Sequence, residues 1–331
     1  MKLFKHNESS KKNKLSNNGS NMIIVKSNNA FNKILKNYWS NRYIVAMLYI
    51  GLIYYAIFCY VPMYGIQIAF KDYKFLKGIT GSPWVGLENF KMLFIGSGFL
   101  EVFKNTLIIS FYKLLFGFPT PIILALMLNE VYNVRFKRVV QTISYLPHFI
   151  SWVIISGILL QVLSPSSGAV NYIIKLLGFE PIFFMGDSKW FRFTLITSSI
   201  WKNIGFSSII YLATVSSINT ELYEAAYIDG ATRLKRIIHI TIPGLMPVIM
   251  IQLILSVGSI INDDFDQIFN MYNEAVYNVA DVIGTYTYRM GLVNLQYGFS
   301  TAVSLSKNVI AFILIVFTNI VTSRYSEYGI W

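Results

Sequence analysis

Residues of the types that catalyse reactions are few in this chain, and they are scattered along it. The three histidines, His6, His148 and His239, lie far apart, and no metal-ligand spacing or Ser-His-Asp grouping surrounds them. The chain has no Gly-Lys dipeptide, so it lacks the Gly-rich loop with which many ATPases hold the phosphates of a nucleotide. We therefore expect no catalytic residue, no metal site and no cofactor bound by this chain.

Residue types that suit a docking surface are instead concentrated between positions 220 and 247, in a charged segment flanked by two long apolar runs. Thr220 is a predicted N-cap, and Glu221 and Glu224 place negative charge in the opening turns of a helix, where the helix dipole favours it. The Asp-Gly dipeptide that ends at Gly230 then stops this helix, because glycine adopts turn conformations that other residues resist.

A second helical run is predicted from Ala231 to Ile240, and it carries three basic residues. Pro243 follows, and it suits the first turn of the next apolar helix, where no backbone N–H is needed for a helical hydrogen bond. The segment 220–243 is thus predicted to form two short helices that meet at a bend.

The spacing within this segment resembles the signature of bacterial ABC-importer permeases, which is Glu-Ala-Ala, three residues, Gly, nine residues, Ile, one residue, Leu-Pro. Here Glu224-Ala225-Ala226 precedes Gly230 and then Ile240 to Pro243, and Ile242 in place of Leu is the departure. The resemblance implies a cytoplasmic coupling helix that sits in a cleft of a separate ATPase subunit and relays its closure to the membrane. The residues it assigns to ATPase coupling are Glu224, Ala225, Ala226, Asp229, Gly230, Ala231 and Pro243.

The same resemblance implies the other parts of a transporter. These are a second, similar permease, two ATPase subunits that carry ATP and Mg, and an extracytoplasmic solute-binding protein. The residues alone also allow an interfacial amphipathic hairpin, whose Arg and Lys side chains extend to lipid headgroups. A spaced pattern of this length is more specific than a lone short motif, and this favours the permease interpretation.

The composition is typical of a membrane protein: 54% of the residues are hydrophobic, 13% are charged, and the mean hydropathy is +0.51. We predict an all-α, polytopic domain over residues 43–331, preceded by a cytoplasmic tail, residues 1–42, that carries nine Lys and Arg residues. Six spans are predicted in a bacterial inner membrane, with both termini in the cytoplasm and the coupling segment between spans four and five. They cover about residues 43–70, 105–128, 142–163, 191–215, 243–261 and 298–323.

The loop after span one indicates the substrate. Its stretch PMYGIQIAFKDYKFLKGITGSPWVGLENFKMLF, which begins at Pro62, is similar to the corresponding part of permeases that import complex oligosaccharides and polysaccharide fragments. This second resemblance implies an ATP-driven importer of such sugars, acidic ones included. A permease for another class of solute is the alternative.

Polar side chains within the spans predict a path for the substrate, because a polar group in lipid is unfavourable and faces the protein interior or water. Those of spans five and six fall at three- and four-residue steps, and aromatic rings add faces for sugar stacking. Lys113 and Lys307 would contact an acidic sugar or pair with a nearby carboxylate, and hydrogen bonding between packed helices is the alternative role for every candidate. The candidates are Tyr112, Lys113, Trp201, Tyr211, Gln252, Ser256, Ser259, Asp263, Ser304, Lys307 and Asn308.

Two rival functions belong to other classes. An ion-coupled secondary transporter usually needs carboxylates within the membrane, and the central parts of the six predicted spans contain no Asp or Glu. A membrane-embedded glycan-processing enzyme needs clustered acids, histidines or a metal, and its candidates are Asp263, Asp264 and Asp266. We expect a solvated, acid-rich outer loop to account for these three aspartates.

Overall fold

The computed structural model describes residues 39–95, 98–258 and 264–325, with side chains as far as residue 320. The chain divides into two units, Met1–Tyr64 and Gly65–Trp331. Most of the predicted basic tail lies outside the described residues, and so do the predicted path residues Ser259 and Asp263.

Helices make up most of the described residues, and short 3₁₀ and π turns join several of them into longer runs. The α-helices, in chain order, are α1 (Arg42–Tyr55), α2 (Val61–Met63), α3 (Gly78–Gly81), α4 (Glu88–Met92), α5 (Phe99–Tyr112), α6 (Pro119–Asn129), α7 (Val134–Tyr145), α8 (Trp152–Val162), α9 (Ala169–Leu176), α10 (Ser188–Ser217), α11 (Thr220–Ile228), α12 (Arg233–Arg236), α13 (Ile242–Gly258), α14 (Phe265–Met271), α15 (Tyr277–Ala280), α16 (Ile283–Tyr288) and α17 (Tyr297–Tyr325).

The predicted all-α class is confirmed, since β structure in the described ranges is limited to one isolated bridge between Lys71 and Trp84. Four helical runs within these ranges are long and apolar enough to cross a membrane, and a bent pair, Val134–Phe149 with Trp152–Val162, makes a fifth if it counts as one span. The number of six spans stays a prediction. The four runs are Arg42–Phe70, Phe99–Asn129, Arg233–Gly258 and Tyr297–Ile320.

Helix α10 corresponds to predicted span four. Its 30 residues extend about 45 Å at the usual rise per residue, enough to cross a bilayer. It is less apolar than the four runs above because it is rich in serine and threonine and carries Lys202 within it. Lys202 and several serines of α10 are buried against neighbouring helices. These buried polar side chains of α10 face protein, as the high free energy of a polar group in lipid requires.

Predicted span three is not one straight helix. The basic residues near position 137 lie on helix α7, and α7 is separated from α8 by an elbow, Leu146–Ile150, with a bend of 105°. The break is stabilised by a distant residue: the ammonium of Lys202 donates hydrogen bonds to the carbonyls of Pro147 (3.2 Å), His148 (2.9 Å) and Ile150. Because Lys202 satisfies these carbonyls, they need no backbone N–H from a continuing helix, and the chain can bend at the elbow.

Residues 264–296 are folded rather than an irregular loop, and Asp264 and Asp266, two of the aspartates expected to be solvated, are exposed. Side chains of α14 and of the residues that follow it, Ile268 and Val282 among them, are fully buried in a core with Phe191 of α10. Asp281 is buried too, and it pairs with Arg289 at 2.5 Å; this hydrogen bond raises the pKa of Arg289. Asp281 thus has a structural partner, whereas Asp266 and Glu274 are exposed.

Candidate functional site

The coupling segment, residues 220–243, has the two short helices that the sequence predicts, with shifted boundaries. The side chain of Asn219, and not of Thr220, caps α11, because its Oδ1 accepts a hydrogen bond from the N–H of Glu221 at 3.0 Å. Gly230 has a φ of +75°, which is the left-handed conformation expected of a glycine that ends a helix. The second helix begins at Arg233 instead of Ala231, since Thr232 is its N-cap.

Pro243 does not begin a helix. The helical run is continuous from Arg233 to Gly258, and Pro243 lies within it, two residues after a π turn at Ile237–Thr241. Proline lacks an N–H and its ring clashes with the carbonyl four residues earlier, and a widened turn accommodates both defects. The same arrangement recurs before Pro62 and Pro119, whose π turns also end two residues earlier.

Helix α11 is fixed to the base of α13 by specific contacts. The hydroxyls of Tyr223 and Thr241 are 2.9 Å apart, and Thr241 is fully buried. Ile218, just before α11, lies so close to Gly244 that a Cβ at Gly244 would be 2.7 Å from its side chain. These contacts join α11 to the helical run that contains α13.

The opposite side of the segment is exposed. Glu224, Ala225 and Asp229 lie at the surface, and the large apolar side chains of Ile228 and Leu234 are 83% and 65% exposed. Exposed apolar residues next to a carboxylate and small alanines are typical of a surface that binds another protein.

A cavity of about 640 Å³ lies between the helical run Phe99–Asn129, helix α10 and helix α13. Its wall combines apolar side chains with hydroxyl, amide and charged groups, as in sites that bind polar ligands. The polar lining residues are Ser110, Lys113, Thr120, Ser199, Asn203, Ser207, Tyr211, Gln252, Ser256 and Asp264.

Lys113 connects the cavity wall to the segment after α13. Its ammonium lies 2.6 Å from a carboxylate oxygen of Asp264 and donates a second hydrogen bond of 2.6 Å to the side-chain carbonyl of Gln267. Gln267 is fully buried and donates in turn to the carbonyl of Leu195 and the hydroxyl of Ser198. Lys113 therefore has the neighbouring carboxylate that the sequence allowed, and the pair adds no net charge to the cavity.

The structure brings together only part of the predicted path. Lys113, Tyr211, Gln252 and Ser256 line the cavity. Tyr112 lines a separate, smaller recess next to Arg192, and Trp201 is half exposed on α10. The candidates on α17 are not among the residues that line this cavity, and they are Ser304, Lys307 and Asn308.

Of the α10 residues that line the cavity, sequence reasoning found Tyr211 and missed a polar stripe. Ser199, Asn203 and Ser207 line it, and their spacing of four residues places them on one helix face. The same periodicity that singled out spans five and six would have found them. Asn203 is also tied to the elbow, because its Oδ1 lies 3.1 Å from Nδ1 of His148, whose ring stacks on Phe206 at 4.0 Å between centroids.

The fold and these sites define a class of membrane transport protein. Residues 117–327 match the family described as the binding-protein-dependent transport system inner membrane component. The matched range contains the coupling segment and most of the cavity wall. The chain belongs to this family and is an inner-membrane permease component, so the family resemblance found in the Glu-Ala-Ala spacing is confirmed.

The chain is similar to particular proteins over nearly its whole length. It is 41% identical over 291 residues to protein LplB of Bacillus subtilis (strain 168), with 88% of this chain and 92% of that protein covered. It is also 41% identical over 290 residues to the polygalacturonan/rhamnogalacturonan transport system permease protein YteP of the same organism, with 88% and 90% covered. A chain in the crystal structure of a bacterial alginate ABC transporter, in complex with an alginate pentasaccharide-bound periplasmic protein, is 42% identical, with a TM-score of 0.83 and 89% and 99% covered.

Proposed function

We propose that this chain is the permease subunit of an ATP-driven importer of oligosaccharides or polysaccharide fragments, acidic ones included. The observation that carries the proposal is the cavity of about 640 Å³ between the helices of a family member, whose polar groups can hydrogen-bond to sugar hydroxyls. Support for an acidic sugar comes from similar permeases, whose names give polygalacturonan, rhamnogalacturonan and alginate as cargo.

The substrate path on this proposal has its centre at the cavity. Lys113, Tyr211, Gln252 and Ser256 would contact the sugar there, and the α10 stripe that includes Asn203 would form the facing wall. The remaining candidates, Tyr112 and Trp201 and those on α17, would belong to the path only if it extends beyond this cavity. Ser259 and Asp263, which belong to the same sequence pattern as Gln252 and Ser256, remain candidates for the path.

The exposed face of the coupling segment is proposed as the docking site of an ATPase subunit. Ile228 and Leu234 supply apolar area, Glu224 would meet a basic group, and Ala225 permits close approach. ATP and Mg would bind the ATPase subunits, and this chain would catalyse no reaction itself. Because α11 is tied to α13 through Tyr223, closure of the ATPase pair would move a helix of the cavity wall.

The topology proposed for the complete transporter follows from charge. The basic tail, residues 1–42, and the coupling segment would lie in the cytoplasm, and residues 43–331 would form the membrane domain. A second permease would complete the pathway, and a solute-binding protein would deliver the sugar outside. The crystal structure of the similar alginate transporter, which includes a sugar-loaded periplasmic protein, supports this last partner.

The experiment is reconstitution of the chain with the permease, ATPase and binding protein encoded with it, followed by measurement of ATP hydrolysis. An oligogalacturonide should stimulate hydrolysis, and its carboxyl-reduced counterpart of equal length should do so less well. Equal stimulation by both would limit the proposal to oligosaccharides in general. Uptake driven by an ion gradient without ATP would refute the proposal.

A further inference from the structure

Helix α7 has two exposed stripes for which the described part of the chain supplies no cover. Phe136, Val139 and Ile143 are 57%, 54% and 66% exposed, and steps of three and four residues place them on one face. Arg135 and Arg138 are also exposed and form a second stripe. Each arginine precedes a residue of the apolar stripe by one position, so the two stripes lie about 100° apart around the helix. The ion pairs formed among the described residues include neither arginine.

Charge is distributed unevenly along this helix. Its basic residues are at positions 135, 137 and 138, the positions from 139 to 149 hold no Lys or Arg, and α7 holds no acid. The run Val134–Phe149 is bent by 105° from α8, so it does not continue the course of α8 across the membrane. A helix with one charged end and a lengthwise apolar stripe matches the boundary between lipid headgroups and acyl chains.

The third side of α7 packs on the protein. This contact determines the direction in which the apolar stripe and the basic stripe face. Ser144 lies against Gly205 of α10, where a Cβ on the glycine would be 2.1 Å from the Ser144 carbonyl oxygen. The elbow that follows is held by Lys202. The apolar and basic stripes therefore point away from the described core.

We propose that the exposed side of α7 docks on the membrane surface, where Arg135 and Arg138 bind the phosphates of anionic phospholipids. The guanidinium group suits this ligand because its planar fork donates two hydrogen bonds to one phosphate. The long arginine side chains reach the headgroups while Phe136, Val139 and Ile143 contact acyl chains. Each basic residue near an anionic surface should enrich the anionic lipid about fivefold, which corresponds to about 1 kcal/mol.

The test uses the full chain in nanodiscs, alone and assembled with its partner subunits, with a bimane label at position 139. The variant is Val139→Cys in a Cys59→Ser background, and the quencher is phosphatidylglycerol or phosphatidylcholine brominated on its acyl chains and added as a minor component. Phosphatidylglycerol should quench the label more strongly than phosphatidylcholine. The Arg135→Gln, Arg138→Gln pair should abolish this preference, and Arg135→Lys, Arg138→Lys should keep most of it.

A matched control removes two exposed lysines elsewhere: Lys175→Gln with Lys189→Gln lowers the net charge equally and should leave the preference unchanged. If the two lipids quench the label equally in the protein that keeps both Arg135 and Arg138, these arginines do not bind anionic headgroups and the proposal is overturned. Absence of quenching by either lipid would show that protein covers this face, and it would overturn docking on the membrane. Quenching in the chain alone that disappears on assembly would assign the face to a partner subunit, which also contradicts the proposal.

Discussion

Replacement of Gly230 tests how the coupling segment turns. Gly230 has a φ of +75°, and a Cβ placed on it would meet no heavy atom within 4 Å. A side chain here would therefore strain the backbone without a clash inside the chain. For an ordinary L-residue the strain is about 1–2 kcal/mol; asparagine adopts this conformation more readily, and a β-branched residue resists it most.

ATPase coupling is therefore expected to decrease in the order glycine, asparagine, alanine and valine at position 230. A strain of about 1–2 kcal/mol lowers the equilibrium constant for forming the docking-competent bend roughly 5- to 30-fold. The affinity for the ATPase subunit should fall by that factor in Gly230→Ala and further in Gly230→Val, as measured by pull-down over a concentration series. The amount of chain in the membrane should stay unchanged, because Gly230 is exposed and outside the packed core.

Gly205→Ala is the contrasting control. Gly205 has no positive φ, but its Cβ would lie 2.1 Å from the backbone oxygen of Ser144. This variant should lower the amount of folded chain in the membrane. Wild-type coupling by Gly230→Val would refute the backbone argument. A loss in Gly230→Asn as severe as in Gly230→Val would show instead that the partner approaches the glycine too closely for any side chain.

Three further results are expected. Asp264→Asn leaves Lys113 without its carboxylate partner, and it should raise the preference of ATPase stimulation for acidic over neutral oligosaccharide a few-fold, or about 1 kcal/mol. Lys113→Met should lower this preference. If both variants shift the preference in the same direction, the ion-pair argument is contradicted. Ser207→Leu fills the cavity and should reduce uptake with basal ATP hydrolysis intact, while Ser304→Leu should have little effect; equal losses would extend the path to α17. A single cysteine at Thr232 should resist an impermeant reagent added outside intact cells, and labelling there would reverse the proposed orientation.

The sequence predicts the structure well where the conformation depends on neighbouring residues alone. The Asp-Gly break at Gly230 follows from the conformational freedom of one residue, and the structure has the left-handed φ that it requires. The N-cap was displaced by one residue because Asn219, a favoured capping residue, precedes Thr220. The start of α13 was placed at Pro243 because a proline suits a first turn, but a preceding π turn lets proline lie within a helix.

Long-range contacts explain what the sequence could not predict. Residues 142–163 form one apolar run, and nothing local indicates that the donors for the elbow carbonyls come from Lys202, more than fifty positions away. Lys113 was expected to need a partner, but its pairing with Asp264 depends on how the segment after α13 folds back. The polar stripe on α10 could have been predicted from helical periodicity alone, since Ser199 and Ser207 are eight residues apart and lie on the same helix face.

The contacts of Lys202 also constrain the order in which the chain can be assembled in a membrane. Until α10 has been synthesised, the carbonyls of Pro147, His148 and Ile150 lack the ammonium that satisfies them. Unsatisfied carbonyls in the hydrocarbon region are unfavourable by several kcal/mol each. In a nascent chain that ends before residue 202, water would therefore have to satisfy the elbow carbonyls until α10 is present. The bend between α7 and α8 thus depends on two distant stretches of sequence, and its hydrogen bonds would be complete only after α10 has been synthesised.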